Sequence, residues 1–260
     1  MNQKKVLETI KQLAIDAGKI IMEIYQTDFE VDYKADESPL TMADRKANDH
    51  IVKGLMEQFP ECAILSEEMK DDKTRRQNDY CFIVDPLDGT KEFVKRNGQF
   101  TVNIALVYKQ NPIVGVIYVP VTKDLYFASV DEGSFKQDGT TGEIQKLQVS
   151  NKTENLIWVG SKSHSSEKEE NLIKQHEKQI MEVISAGSSL KGCLVAEQRA
   201  DVYYRFGLTC EWDTAAMHCI AQQAGATVRQ MDNSELVYNR ENTLNELGFY
   251  IVNVKENIWV

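Results

Sequence analysis

The sequence has few cysteines and no closely spaced pair of them: five are scattered along its 260 residues. A disulfide framework needs paired cysteines and a thiolate zinc site needs neighbouring ones, so neither is indicated. A reducing cytoplasm is the location that this usage favours. The residues are Cys62, Cys81, Cys193, Cys210 and Cys219.

An excess of positive charge is also missing, because the formal net charge is −10. Such a chain lacks the long-range field that attracts polyanions, so we expect no binding to a nucleic acid polymer. An anionic small molecule can still bind where metal ions and a few Lys or Arg residues reverse the sign locally. No apolar run is long enough to span a bilayer, which leaves peripheral association with a membrane open.

The spacing of apolar residues predicts a mixed α/β (α+β) chain. The predicted helices are Lys4–Tyr25, Met42–Phe59, Ser166–Gln179, Leu190–Arg199 and Thr214–Ala224. The predicted strands are Tyr80–Val84, Thr101–Tyr108, Ile113–Val119, Leu125–Val130, Ile157–Gly160, Met181–Ala186, Val202–Phe206 and Phe249–Val254, of which the second to fourth form an antiparallel meander. The polar stretch Asp131–Lys152 predicts a boundary between two halves, residues 1–143 and 144–260.

The segment Asp85-Pro86-Leu87-Asp88-Gly89-Thr90 follows an apolar run and carries two carboxylates at a strand-to-loop exit. Two close carboxylates repel each other unless a cation lies between them, so this segment is a candidate metal site. The alternative is an ordinary surface turn, because Asp, Pro and Gly are frequent turn residues.

Three further carboxylates admit a functional and a structural interpretation. Glu67 follows the apolar run 62–65, as a metal ligand or as a solvated charge at a strand end. Asp213 directly precedes an amphipathic helix, where an N-capping carboxylate can still offer its second oxygen to a metal. Asp44 lies three residues after Thr41 and would complete a capping box.

Four segments occur in the order and approximate spacing of the inositol monophosphatase superfamily, which the chain resembles along nearly its whole length. They are Thr41-Met42-Ala43-Asp44, Glu67-Glu68, Asp85-Pro86-Leu87-Asp88-Gly89-Thr90 and Trp212-Asp213-Thr214-Ala215-Ala216. Within the superfamily the chain looks most similar to the bacterial 3′(2′),5′-bisphosphate nucleotidases, through Lys91-Glu92-Phe93, Ser161-Lys162-Ser163-His164, Gly187-Ser188-Ser189-Leu190-Lys191 and Tyr204-Arg205-Phe206-Gly207. The resemblance implies the layered α-β-α-β-α sugar-phosphatase fold.

The resemblance also implies a site for two or three Mg²⁺ ions. Its ligands would be Glu67, Asp85, the backbone carbonyl of Leu87, Asp88 and Asp213. Oxygen-only coordination suits this hard cation better than it suits zinc. Asp44 and Thr90 would orient and deprotonate the attacking water, without a covalent phosphoenzyme.

The implied reaction is hydrolysis of 3′-phosphoadenosine 5′-phosphate to AMP and phosphate, with the corresponding phosphosulfate as a further substrate and inhibition by Li⁺. The substrate would contact Glu67, Leu87, Asp88, Gly89, Thr90, His164, Ser188, Lys191, Arg205 and Asp213. Taken singly, a Lys or Arg more often lies on a solvated surface, and a lone His is more often structural. Lys162 stands where the resemblance leads us to expect an arginine, so a bidentate phosphate contact would become a single-point one.

Two alternatives stay open at this stage. One is an inositol or sugar monophosphatase of the same superfamily. The other is a module that binds nucleotide or metal without turnover, against which the presence of every expected carboxylate argues. A cytoplasmic location is expected, with docking on the inner membrane and the oligomeric state both left open.

Overall fold

Two large β-sheets, a two-stranded ribbon and the helices around them make up the described part of the chain, residues 1–33, 39–161 and 166–260 of a computed structural model. The strands are β1 Val31–Tyr33, β2 Pro39–Thr41, β3 Ala63–Ser66, β4 Tyr80–Asp88, β5 Thr101–Tyr108, β6 Asn111–Tyr118, β7 Leu125–Ser129, β8 Gly133–Gln137, β9 Ile144–Lys146, β10 Leu156–Ser161, β11 Ile180–Ala186, β12 Val202–Arg205, β13 Thr227–Gln230 and β14 Phe249–Val252. The helices are α1 Gln3–Tyr25, α2 Met42–Gln58, α3 Thr90–Val94, α4 Glu167–Gln175, α5 Leu190–Ala196 and α6 Glu211–Gln223, with 3₁₀ turns at Thr74–Gln77 and Lys255–Asn257.

Strands β3 to β9 form a seven-stranded sheet in chain order. Strands β3 and β4 are parallel, and the pairs that follow are antiparallel. The predicted meander is therefore confirmed. It is also longer than predicted, because β8 and β9 lie within the stretch 131–152 that was predicted only as a boundary. Most of their side chains are at least partly exposed, so the apolar alternation that marks a strand is absent there.

The second sheet has the order β11-β10-β12-β14-β13, and β1 pairs with β2 in a separate ribbon. Alternating side chains of the strands face different helical layers. Phe82 of β4 belongs to one core with residues of α1 and α2, whereas Ile83 belongs to another core with residues of α5 and α6. Val159 of β10 belongs to the same core as Ile83, whereas Trp158 belongs to a third core with Leu172 of α4. The layers therefore follow the order α-β-α-β-α, and the predicted fold is confirmed.

The layer of α5 and α6 belongs to one core with residues from both sheets. Leu65 of β3 and Ile251 of β14 are both part of this core. The division into halves at residues 143 and 144 stays a prediction. The cysteine thiols form no disulfide, and none of the described helices is long and apolar enough to cross a bilayer.

Two element boundaries differ from the predictions and bear on the site. Strand β4 does not end at Val84 but continues to Asp88, with an irregularity in its pairing after Asp85. Helix α6 begins before Thr214, so Asp213 is the third helical residue rather than the N-cap. Cys210 occupies the N-cap position, and cysteine is not among the usual capping residues, so the start of α6 carries no clear sequence signal.

Candidate metal and phosphate site

The carboxylates of Asp85, Asp88 and Asp213 converge where β4 ends beside the first turn of α6. One oxygen of each lies within 4.8 Å of the others. Glu67 lies next to them because β3 and β4 are parallel, so their carboxyl ends share one edge of the sheet. The backbone N–H of Glu67 donates to the carbonyl of Val84 at 3.1 Å. The predicted ligands from distant parts of the chain are thus brought together, and their roles as ligands stay predictions.

Backbone donors hold one oxygen of Asp85 and one of Asp213. The N–H of Leu87 donates to Asp85 Oδ1 at 3.1 Å. The N–H of Cys210 donates to Asp213 Oδ2 at 2.5 Å, in a capping-box arrangement. A carboxylate anchored through one oxygen can present the other in a fixed direction, as metal coordination requires.

The buried negative charges of the cluster require a cation to neutralise them. Burial, followed by the charges of Glu67, Asp88 and Asp213, raises the pKa of Asp85 well above its ordinary value. Burial and the nearby charge of Asp88 raise the pKa of Asp213 to about 8. These groups cannot all be ionised close together in a poorly solvated site without a positive charge among them. Hard oxygen donors in such a site fit Mg²⁺.

Asp44 and Thr90 lie beside this cluster and contact each other. Thr90 Oγ1 lies 3.1 Å from Asp44 Oδ1 and 3.2 Å from the carbonyl oxygen of Leu87. The other oxygen of Asp44 accepts from the backbone N–H and the hydroxyl of Thr41 at 2.7 and 2.6 Å, which confirms the predicted capping box. Burial raises the pKa of Asp44, although the hydrogen bonds from Thr41 oppose this. The two predicted catalytic residues therefore form a connected pair.

Gly89 precedes Thr90 with a φ of +92°, a conformation that favours glycine. A Cβ at this position would lie 3.1 Å from the carbonyl oxygen of Gln99 and 3.3 Å from Ser188 Cβ. The absence of a side chain therefore lets the turn that carries Thr90 approach the segment that carries Ser188.

Two buried cationic side chains and the exposed Lys91 line the same cleft, whose volume is about 280 Å³. Lys191 is 7% and Arg205 8% exposed, so the alternative interpretation that they lie on a solvated surface is wrong. The Lys191 ammonium donates to the carbonyl oxygens of Ala186, at 3.4 Å, and Ser188. Burial lowers the pKa of Lys191 to about 8, while the carboxylate of Asp88 opposes this shift. The cleft therefore combines carboxylates with local positive charge.

Most of the remaining predicted substrate contacts line the cleft. Those that line the cleft are Glu67, Asp88, Gly89, Thr90, Ser188 and Asp213. Leu87 lies next to Asp88, and its backbone carbonyl is within hydrogen-bond distance of Thr90. His164, together with Lys162, lies outside the described residues.

Sequence patterns did not single out Ser189 and Asn103, which both contact Asp88. Ser189 Oγ lies 2.6 Å and Asn103 Nδ2 3.1 Å from Asp88 Oδ2. Ser189 directly precedes a helix, where a serine is expected as an ordinary cap. Asn103 did carry a signal, because an amide in the middle of a buried apolar strand needs a hydrogen-bond partner.

The model of the Inositol monophosphatase family matches residues 2–253. The chain belongs to the inositol monophosphatase family. The resemblance that four separated motifs indicated is thereby confirmed. These motifs contain the residues of the acidic cluster, the Asp44–Thr90 pair and Gly89, which links Asp88 to Thr90. The parts of the sequence that carry the family likeness therefore also form the site.

Within the inositol monophosphatase family, the chain is similar to proteins named 3′(2′),5′-bisphosphate nucleotidase CysQ. Those of Salmonella typhimurium and Escherichia coli K12 are each 42% identical over 252 residues, which is 95% of this chain and 99% of theirs. The crystal structure of CysQ from Bacteroides thetaiotaomicron is 44% identical, with a TM-score of 0.85, and covers 98% of this chain and 99% of that one. The likeness to SuhB from Bartonella henselae, at 24% identity and a TM-score of 0.79, shows the shared fold alone.

Proposed function

We propose that the chain is a Mg²⁺-dependent phosphomonoester hydrolase that converts 3′-phosphoadenosine 5′-phosphate to AMP and phosphate. The observation that carries the proposal is the 42% identity to CysQ nucleotidases over almost the full length of both chains. The cleft supports it, because buried Lys191 and Arg205 provide positive charge near the acidic cluster. A second phosphate on the substrate is a suitable partner for that charge.

Glu67, Asp85, Asp88, Asp213 and the carbonyl of Leu87 would hold the metal. When bound, Mg²⁺ supplies neutralising charge for the phosphate and lowers the pKa of water. The chain's own residues then orient the substrate, since carboxylates and buried cations line the same cleft. Contacts with both groups would align the reacting phosphate and lower the entropic part of the barrier.

Asp44 and Thr90 would orient the attacking water and accept its proton. The Thr90 hydroxyl can accept a hydrogen bond from water while it donates to Asp44 Oδ1, 3.1 Å away. The raised pKa of Asp44 makes its carboxylate a stronger base than an exposed aspartate. The pair therefore provides a proton acceptor beside the reacting phosphate and needs no covalent intermediate.

Phosphate release from three substrates, each measured with Mg²⁺ and with EDTA, tests the proposal. The substrates are the bisphosphate nucleotide, inositol 1-phosphate and fructose 1,6-bisphosphate. We expect the highest kcat/KM with the nucleotide and no turnover in EDTA. A preference for either of the other two would instead support the inositol or sugar monophosphatase alternative. No Mg²⁺-dependent turnover of any substrate would support the non-catalytic module.

Asp88→Asn provides a matched test of the metal site. The amide is nearly isosteric with the carboxylate but removes one negative charge, so activity should fall close to background while the far-UV circular dichroism stays unchanged. Retention of more than about a tenth of the wild-type kcat would contradict the assignment of Asp88 as a metal ligand, because loss of a ligand normally costs far more.

Four further properties are proposed from the same similarity to the CysQ nucleotidases. They are action on the phosphosulfate nucleotide, inhibition by Li⁺, a cytoplasmic location and peripheral docking on the inner membrane. Turnover of the phosphosulfate form and a Li⁺ titration belong in the same assay. Co-sedimentation with anionic vesicles would test the docking.

A further inference from the structure

The hydroxyl group of Ser189 lies between β4 and α6 at the acidic cluster. Ser189 Oγ lies 2.6 Å from Asp88 Oδ2 and 2.8 Å from the backbone carbonyl oxygen of Asp213. The residue is 2% exposed, so water does not compete freely for these contacts. Because a carboxylate accepts more strongly than a neutral carbonyl, Asp88 is the preferred acceptor for the single hydroxyl proton.

This use of the hydroxyl is not the one that its position in the helix predicts. Ser189 is the N-cap residue of α5, where a serine normally accepts a hydrogen bond from an N–H of the first helical turn. Within the described part of the chain, the Ser189 side chain makes no capping bond. Stabilisation of α5 therefore does not explain the serine, whereas its hydrogen bond to Asp88 does.

Asn103 fixes the orientation of the Ser189 hydroxyl. Its amide group lies within hydrogen-bond distance of Ser189 Oγ, at 2.9 Å, and of Asp88 Oδ2, at 3.1 Å. The amide oxygen accepts from Thr101 Oγ1 at 2.8 Å, which sets the direction of the amide. Two donors thus hold Asp88 Oδ2, so rotation of this carboxylate is restricted and Oδ1 remains for a cation.

We propose that Ser189 is a positioning residue that fixes the carboxylate of Asp88 and thereby sets the Mg²⁺ affinity of the site. The inference rests on the proposed function in naming Mg²⁺ as the ion. It does not depend on the identity of the substrate. Groups that orient metal ligands typically change metal affinity about 10- to 100-fold when they are removed.

Ser189→Ala tests the inference by calorimetric titration of the metal-free protein with Mg²⁺. We expect the dissociation constant to rise about tenfold or more. The increase in melting temperature that Mg²⁺ causes should shrink accordingly, because stabilisation by a ligand depends on its affinity. The Mg²⁺ concentration for half-maximal activity should rise by a similar factor, whereas kcat at saturating Mg²⁺ should change less than about threefold.

Ser134→Ala is the matched control. Ser134 is a fully buried serine of β8, and its Oγ has no hydrogen-bond partner within the described part of the chain. Its replacement should leave Mg²⁺ binding unchanged. Ser189→Cys is the second variant, in which a weaker donor of similar size replaces the hydroxyl if the alanine variant does not fold. It should show the same direction of change in Mg²⁺ affinity.

These experiments test the inference and the proposed function separately. Unchanged Mg²⁺ affinity in the folded Ser189 variants would overturn the inference, as would an equal loss of stability with and without Mg²⁺, which a structural role produces. Absence of Mg²⁺ binding in the wild type would overturn it as well. If Mg²⁺ binds, Ser189 affects it and the nucleotide is not hydrolysed, the proposed function fails while the inference stands.

Discussion

Thr90 should be essential through its hydroxyl group rather than its size. Thr90→Val keeps the shape but removes the contact with Asp44, so kcat should fall about 10²-fold or more, the usual range for loss of a proton-transfer group. Thr90→Ser retains the hydroxyl and should keep most of the activity. Steady-state kinetics with the bisphosphate nucleotide measures both variants. Equal losses in the valine and serine variants would contradict the proposed role.

Arg205 should act on substrate binding rather than on the chemical step. Arg205→Ala removes a buried cation from the cleft, so KM for the bisphosphate nucleotide should rise about tenfold or more, with a smaller effect on kcat. A substrate with one phosphate should be much less affected. Arg76→Ala is the control, because Arg76 is exposed and its ion pair with Glu241 is a surface contact. An unchanged KM in the Arg205 variant would remove the residue from the nucleotide site.

Asp213 should make the stability of the metal-free protein depend on pH. Its folded pKa is about 8, against an ordinary value of 3.8. Between these values the folded state binds more protons than the unfolded chain, so stability falls as pH rises and the full penalty applies above about 8. Asp213→Asn lacks this penalty.

Melting curves in EDTA measure the effect of Asp213. At pH 8 the Asp213→Asn variant should melt at a higher temperature than the wild type, and the difference should decrease towards pH 5. Added Mg²⁺ should reverse the order, because the wild type retains the ligand. A lower melting temperature for the variant in EDTA at pH 8 would contradict the assigned electrostatic cost.

At the scale of elements, α6 lies on the seven-stranded sheet over a row of small residues. Ala105, Gly115 and Ala128 are neighbours in register across β5, β6 and β7. A Cβ on Gly115 would lie 2.8 Å from the carbonyl oxygen of Ala216 and 2.9 Å from Cys219 Cβ. The row therefore allows the close approach that brings Asp213 to the end of β4.

Gly115→Ala should destabilise the protein, because the backbone of α6 cannot move away as a flexible side chain could. We expect a loss of about 1–3 kcal/mol in the free energy of unfolding, as for other overpacked cores. Gly160→Ala in β10 is the matched control, since its nearest contact would be 3.4 Å away. Urea unfolding measures both variants, and equal effects would refute the proposed packing constraint.

The sequence predicted elements well where one side of a helix or strand is apolar. Helix α1 and the meander show this, because burial imposes a periodicity that the composition reveals. It failed for the short strands β8 and β9, whose side chains are largely exposed, and for the start of α6, where Cys210 occupies the capping position. These features depend on tertiary contacts that leave no local pattern.

The sequence alone indicated a role for some residues of the site but not for others. Glu67, Asp85 and Asp88 lie in recognisable motifs, and the proximity of Glu67 to Asp85 follows from the ends of the parallel strands β3 and β4, which meet at one edge of a sheet. Ser189 could not be separated from an ordinary helix cap, because its contact with Asp88 joins positions that are distant in sequence. Spatial proximity between separate elements was thus the missing information.

At the scale of the whole molecule, the central helical layer should make unfolding cooperative. The three tryptophans, Trp158, Trp212 and Trp259, all lie within residues 144–260, so their fluorescence reports on that part of the chain. Circular dichroism reports on all helices and sheets. Because one core contains residues of both sheets, the two signals should change at the same urea concentration. Separate midpoints would show that the halves unfold independently.

The row of small residues beneath α6 also bears on how such an enzyme can acquire new substrates. It fixes the spacing between Asp213 and the end of β4, so enlargement of Ala105, Gly115 or Ala128 would affect the reaction with every substrate. Lys191 and Arg205 lie at the start of α5 and the end of β12, away from that row. Under the proposed roles of these two residues, substrate preference can diverge through changes at them while the metal site is inherited intact.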